Sequence, residues 1–305
     1  MNSSPSITIA ICCFREGDWL RECWDSVLSQ TDNRWEAVMV LDGGADAKTT
    51  SIFNAIEHPR LRKHVCNENL RHGGTRNLAF EQTRTPYHFY VDADDLLVPD
   101  SVAWLLQGFK ECPDAAMVYG DIQLFGDRNE LRQNPDEMTP DILARLDALQ
   151  GSGAAYSMTA WRAVGGLAKE MWASGSDFDF NIGLCEKGFK FHRIPKLVYL
   201  YRRYNTSNSE NNAYRCWEKH EMMVRRHPVF FADAARKSAF LATAYTYSFR
   251  ALYEANDLAR AKDVALRAVA GGWTGAEYWP MQCLARLPLS VFKAIVPLWR
   301  LRRRL

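Results

Sequence analysis

Through its first hundred residues the chain alternates apolar runs of strand length with stretches of helical period, and no other feature constrains its fold as strongly. Ile7–Cys13 reads as a buried strand, 19–30 as an amphipathic helix, Trp35–Leu41 as a strand and 48–56 as a helix. A short strand over 62–66, a helix over 74–82 and a strand over 87–91 complete a βαβαβαβ order. A helix over 100–110 and a strand over 116–123 extend it, and 126–136 reads as a surface excursion. Alternating strands and helices predict an α/β fold, a parallel sheet with helices on both faces. Right-handed crossovers then bring every loop that follows a strand to one edge. Four loops meet there: Phe14-Arg15-Glu16, Asp42-Gly43-Gly44, 71–76, and the acidic cluster Asp92-Ala93-Asp94-Asp95.

The acidic cluster is the sharpest of the four, because ligands of open α/β sheets bind outside the carboxyl ends of the strands. Asp92 and Asp94, two residues apart on extended backbone, point to the same side and can converge on one hard cation, Mg2+ or Mn2+. The competing reading is an Asp-rich cap for the helix that follows, with Asp95 the first candidate. A length of 305 residues with 47% hydrophobic side chains fills one large α/β domain and a smaller appendage. A net charge of +2 gives no case for a nucleic-acid partner. The eight cysteines show neither C-x-x-C pairs nor zinc spacing, so reduced thiols, no structural zinc and a cytoplasmic location are expected. Adjacent Cys12 and Cys13 read as packing residues. The opening Met1-Asn2-Ser3-Ser4-Pro5 runs straight into a strand without the basic and apolar regions of a secretory signal, so secretion is not expected.

Several blocks, in order, resemble a family 2 glycosyltransferase of the GT-A fold. The segment 7–15 resembles the family's apolar strand ending in Pro-x-Tyr-Asn, and 23–31 its S-x-L-x-Q-T helix. Val40-Leu41-Asp42-Gly43-Gly44 resembles the D-D-G-S turn, Gly73-Gly74-Thr75-Arg76-Asn77 the A-R-N helix start, and Asp92-Ala93-Asp94-Asp95 with Pro99-Asp100 the D-x-D-D block. Further on, 161–167 resembles the x-x-V-G-G-F turn, Ser176-Asp177-Phe178-Asp179-Phe180 the E-D-W-D-L helix start, and 195–202 the closing Y-R strand. The resemblance covers about residues 6 to 209.

The resemblance implies a metal-dependent, inverting transfer from a nucleotide-sugar, with UDP-sugar the expected donor and a hexosyl or N-acetylhexosaminyl unit the expected cargo. Asp94, with Asp92, would hold the cation, which stabilises charge on the departing diphosphate. Arg76 would add a second positive charge there. Asp42 would accept a hydrogen bond from the uracil N–H, Phe14 would stack near the base, and main-chain groups around Cys13 would touch it; Glu16 and Ala93 complete the implied donor-binding set. Asp177 matches the catalytic base that takes the acceptor's proton, and Asp179 is the runner-up. The other reading of these two aspartates is a helix N-terminus favoured by the macrodipole. Donor selectivity is expected from loops 151–155 and 171–174. The acceptor is expected to be a saccharide or a lipid-linked glycan in bacterial surface polysaccharide synthesis.

Three positions depart from the pattern. Ser176 replaces the usual glutamate, Leu41 replaces the first aspartate of D-D-G-S, and Tyr204 stands where many relatives have a histidine that can contact metal or diphosphate, with Arg202 or Arg203 the candidates to replace it. Two other functions fit the sequence less well. A sugar-phosphate nucleotidyltransferase predicts a glycine-rich phosphate loop with a basic residue after the first strand, which Cys12 to Gly17 meets poorly. A catalytically silent interaction protein presenting the C-terminal helices has no reason to keep Asp42, Arg76, Asp94 and Asp177 together.

The expected domains are a catalytic one over 1–209, a helical extension over 210–286 and a tail over 287–305. Helices are expected at 213–226, 232–256 and 258–270, with 253–261 loosely resembling the turn of a tetratricopeptide repeat; a single such unit cannot form an array. The tail carries Leu289, Val291, Phe292, Ile295, Val296, Leu298 and Trp299 before Arg300, Arg302, Arg303 and Arg304, with Pro288 and Pro297 interrupting. It is too short to span a bilayer but suits an anionic surface, so peripheral attachment at the inner face of the plasma membrane is expected, with a homodimer contact as the competing use.

Overall fold

A computed structural model describes residues 4–145, 153–169, 171, 175–204, 213–273, 279–288 and 290–291. The chain divides into two compact units, residues 1–207 and 208–305. The expected boundary at 209, loop positions 151–152 and 172–174, and the tail from 292 onward lie outside the described residues. No helix among the described residues is long and apolar enough to cross a membrane.

The first unit runs β1 Ile7–Cys13, α1 Trp19–Leu28, β2 Trp35–Leu41, α2 Ala47–Ala55, β3 Leu61–Val65, α3 Arg71–Glu81, β4 Tyr87–Asp92, β5 Leu96–Leu97 and α4 Ser101–Glu111. It continues through β6 Ala115–Gly126, β7 Glu130–Arg132, α5 Pro140–Arg145, β8 Ala154–Ser157, α6 Met158–Val164, α7 Ser176–Glu186 and β9 Lys190–Arg203. The sheet order is β3-β2-β1-β4-β8-β6-β9-β5, with β7 beside β6. Interior strands β1 and β2 are near-continuous apolar runs because helices cover both faces, whereas β3, at the edge, carries Arg62, Lys63 and His64. Helix α1 buries Leu20, Cys23, Trp24 and Val27, the i, i+3, i+4, i+7 spacing of one helical face.

The sheet is parallel through β3-β2-β1-β4 and again between β6 and β9, as a mainly parallel α/β fold requires. Strand β8 enters antiparallel between β4 and β6, and β5 pairs antiparallel with β9, so the sheet is mixed. The reason is connectivity: β8 follows a long excursion rather than a single crossover helix, so the chain returns in the opposite direction. The expected excursion at 126–136 is in part a hairpin, since β6 runs to Gly126 and β7 folds back onto Ile122 to Leu124. In the second unit helices Cys216–Arg226, Ala234–Glu254, Leu258–Ala270 and Trp279–Arg286 are formed. The repeat-like segment 253–261 is a turn built by Asn256, at φ 61°, and by Asp257, whose side chain caps the next helix at Arg260 N–H.

Candidate active site

Strand register sets the site. Cys13 pairs with Leu41 and Cys12 with Asp92, so the carboxyl ends of β1, β2 and β4 lie level, and the loops that follow them open on one edge. Asp42 extends β2 by one residue, its N–H donating to Cys13 O at 2.9 Å. Its buried carboxylate accepts three main-chain N–H bonds, from Gly43 (2.9 Å), Leu70 (2.8 Å) and Arg71 (3.0 Å). It therefore ties the start of α3 to the end of β2. Two backbone features permit this approach: Arg71 takes a left-handed φ of 59°, and a Cβ on Gly43 would lie 2.2 Å from the Glu68 carbonyl carbon. In the β1 loop, Arg15 covers the Phe14 ring at 4.6 Å, and Phe14 N–H donates to Glu16 Oε2 at 2.6 Å.

Helix α3 delivers Arg76 to the carboxyl end of β4. Arg76 Nη2 donates to Asp92 Oδ1 at 2.6 Å, and its guanidinium lies 4.4 Å over the Tyr90 ring. Tyr90 Oη in turn donates to Asp177 Oδ2 at 3.4 Å. Asp92 is thus bonded directly to Arg76, and the Tyr90 ring joins Arg76 to Asp177, although the three charged residues come from β4, α3 and α7. Asp177 sits half-buried in the first turn of α7, whereas Asp179 is buried at 2% exposure. Next to Arg76, Asn77 clamps two motifs that are distant in sequence: its Nδ2 donates to Leu167 O and its Oδ1 accepts from Leu167 N–H, both at 2.9 Å. Gly165 and Gly166, at φ 93° and 86°, make the turn that presents Leu167.

The acidic cluster is held from β9. Asp95 does not cap the following helix, the competing reading of the cluster; it is 1% exposed and accepts from Arg202 N–H (2.6 Å) and Tyr199 Oη (2.9 Å). Asp95 immediately precedes β5, which pairs with β9, so its carboxylate meets donors of β9 rather than the helix that follows. Ala93 is buried beneath the cluster. Arg202 Nε donates to the main-chain oxygen of Asp94 and its Nη2 to Glu22, so Arg202 braces the acidic loop, while Arg203 lies over Tyr201. Tyr204 Oη donates to Asp94 Oδ2 at 2.9 Å. Burial and the neighbouring Asp92 push Asp94 up to about 6; burial, with the charges of Asp94 and Asp92, pushes Glu16 up to about 7 and Asp95 well above the carboxylate range.

This is an excess of negative charge that one cation would relieve. Among the described residues no group of three His, Cys, Asp or Glu side chains is arranged to hold a metal ion. Mg2+ and Mn2+ need fewer protein ligands when phosphate oxygens and water complete the shell, and Asp94, with Asp92 beside it, fits that role. Arg76 Nε is buried without a hydrogen-bond partner among the described residues, a donor suited to an anionic ligand.

Residues 8–162 match the family described as "Glycosyl transferase family 2". The chain belongs to this family. A glycosyl transferase family 2 chain of this kind has relatives in bacterial envelope synthesis: it is 25% identical over 236 residues to "Putative teichuronic acid biosynthesis glycosyltransferase TuaG" of Bacillus subtilis, covering 74% of this chain and 91% of TuaG. It spans only 24%, 15% and 30% of the length of three other curated relatives. In fold it is similar to S. aureus TarS 1-349 in complex with UDP-GlcNAc, with TM-score 0.69, 13% identity, and coverage of 97% of this chain and 91% of that one. It is also similar to the mannosyltransferase PcManGT of Pyrobaculum calidifontis, solved with GDP-Man and Mn2+, with TM-score 0.58, 17% identity, and coverage of 98% and 88%. The architecture is therefore GT-A: a central mixed sheet flanked by helices.

Sequence reading of this glycosyl transferase family 2 site missed Tyr90, Tyr199 and His72. The two tyrosines sit in apolar runs and read as core; only the fold shows their hydroxyls reaching Asp177, Asp92 and Asp95. His72 lies one turn before Arg76 on α3, where desolvation by the surrounding protein and the charge of Arg76 lower its pKa against the pull of Asp92, Asp177 and Asp42. The i, i+4 spacing of His72 and Arg76 was the available signal.

Proposed function

We infer that this protein transfers a sugar, with inversion, from a UDP-sugar to a hydroxyl of a saccharide or lipid-linked acceptor in the synthesis of a bacterial surface polymer. The observation that carries this reading is the chain of contacts from Asp92 through Arg76 and Tyr90 to Asp177, which spans one crevice from the acidic loop to α7. Asp42, one residue beyond β2, has lone pairs left after its three main-chain bonds and would take the uracil N–H. Arg76 would donate to the diphosphate as charge grows on the leaving oxygen. Asp177 would accept the proton of the acceptor hydroxyl as that oxygen bonds to the anomeric carbon and the bond to the diphosphate breaks. A Mg2+ or Mn2+ ion on Asp94 and Asp92, when bound, would supply Lewis-acid stabilisation of the departing diphosphate.

TarS with UDP-GlcNAc and PcManGT with GDP-Man and Mn2+ support a nucleotide-sugar donor and a divalent cation, and TuaG supports an envelope-polymer setting. Attachment at the inner membrane face through the arginine-rich tail belongs to the same reading. The test is calorimetric titration of UDP, GDP, CMP and dTDP, with and without Mn2+, into the wild type, Asp94→Ala and Asp177→Asn. Binding of UDP that Mn2+ strengthens, with that strengthening lost in Asp94→Ala and kept in Asp177→Asn, and with sugar transfer lost in both variants, is the expected result. Binding of no nucleotide by the wild type overturns the reading.

A further inference from the structure

We propose that Tyr204 is a positioning residue that fixes the Asp94 carboxylate for a divalent cation, doing through a hydrogen bond what a direct ligand would do at this strand end. The inference rests on the donor-and-cation reading above and assigns a role to a residue that departs from the family pattern. The Tyr204 hydroxyl donates to Asp94 Oδ2 at 2.9 Å, so one carboxylate oxygen is committed and Oδ1 is oriented. The phenol cannot swing away freely, because its ring packs on Trp19 at a centroid distance of 5.0 Å, tilted by 44°.

Trp19 is held from the other direction by Arg202, whose guanidinium lies 5.0 Å from its ring and 4.5 Å from that of Phe125. Arg202 also donates from Nε to Asp94 O at 2.7 Å and from Nη2 to Glu22 Oε2 at 2.6 Å. The main chain of Asp94 is thereby fixed by Arg202 and its side chain by Tyr204. A carboxylate with one oxygen hydrogen-bonded and its main chain pinned loses less freedom on ligating a cation than a free one. Such outer partners typically contribute about 10- to 100-fold in metal affinity. Tyr204 also competes for Oδ2, but a carboxylate offers about four lone-pair sites and Oδ1 stays available, so orientation outweighs competition.

The test measures Mn2+ binding by electron paramagnetic resonance of the free ion, on the full chain with saturating UDP, for the wild type, Tyr204→Phe and Tyr204→His. Thermal melting checks that each variant folds, and UDP affinity in EDTA reads the nucleotide pocket separately. Tyr204→Phe keeps the ring on Trp19 and is expected to weaken Mn2+ about tenfold or more with UDP affinity in EDTA unchanged, while Tyr204→His, which supplies an imidazole ligand, recovers most of that loss. Equal Mn2+ affinity in wild type and Tyr204→Phe overturns the proposal and leaves the donor reading standing. A wild type that binds UDP but no Mn2+ overturns both the proposal and the cation reading, and one that binds no UDP overturns the UDP-donor reading and the proposal that rests on it.

Discussion

Replacing Arg76 by methionine tests the central contact of the crevice. The Arg76 side chain is 8% exposed and that of Asp92 is 25% exposed, and 2.6 Å separates their charged atoms. Removing the guanidinium leaves Asp92 beside Asp94, Asp95 and Glu16 with its nearest positive partner gone. Breaking a buried pair on one side costs about 3 to 5 kcal/mol, and the quarter of Asp92 still in water places this case near 3 kcal/mol. Loss of the cation over Tyr90 adds roughly 0.5 to 1 kcal/mol, which methionine packing on the ring offsets. For a unit of this size, that is a fall in melting temperature of about 6 to 12 °C. The double variant Arg76→Met with Asp92→Asn removes the stranded charge and should regain half of the loss or more. Scanning calorimetry of the four proteins measures both quantities. A single variant melting within about 2 °C of wild type, or a double variant no more stable than the single one, refutes the argument that Arg76 is held here by charge.

Two further outcomes follow from the same geometry. Asp94 has its pKa raised to about 6 by burial and Asp92, so the folded state holds its proton more tightly than the unfolded chain does; that stability is full below about pH 4 and lost as pH rises through about 6. Asp94→Asn should therefore melt level with wild type near pH 4.5 and above it near pH 7.5 without metal, and Mn2+ with UDP should stabilise only the wild type; equal melting at both pH values contradicts the burial argument. Asn77→Ala removes both bonds to Leu167 and strands a buried N–H and C=O, so it should cost about 2 to 3 kcal/mol in urea unfolding, and a loss below about 0.5 kcal/mol would show that the two motifs are not clamped there.

That the loops carrying Asp42, Arg76, Asp92 and Asp94 share one edge was legible in the sequence, because it depends on local periodicity and on the rule that loops after parallel strands lie together, whereas Asp177, in the first turn of α7, was linked to them only by the family resemblance and the spatial order β3-β2-β1-β4 came from the fold. Hydrophobic runs report burial, and Ile7–Cys13 and Trp35–Leu41 are buried on both faces as their composition requires. The direction of β8 was not legible, because four residues of Ala154–Ser157 carry no signal for which neighbour they pair with or in which sense. The partners of Asp95 were not legible for a related reason: an aspartate before a helix can cap it, and only the neighbouring β9 brings the donors that it binds instead.

What the sequence by itself determined is therefore the set of layers and the crevice edge at which chemistry-bearing residues gather, since both follow from spacing along the chain. What only the tertiary structure decided is the partnership of each group. Arg76 is claimed by Asp92, Asp42 by the main chain of α3, Asn77 by Leu167 and Asp94 by Tyr204, over separations of 16, 28, 90 and 110 residues. Hydrogen bonds and ion pairs act over a few ångströms in space, and the distance along the chain at which they close is set by how the sheet folds, not by any local preference of the residues they join.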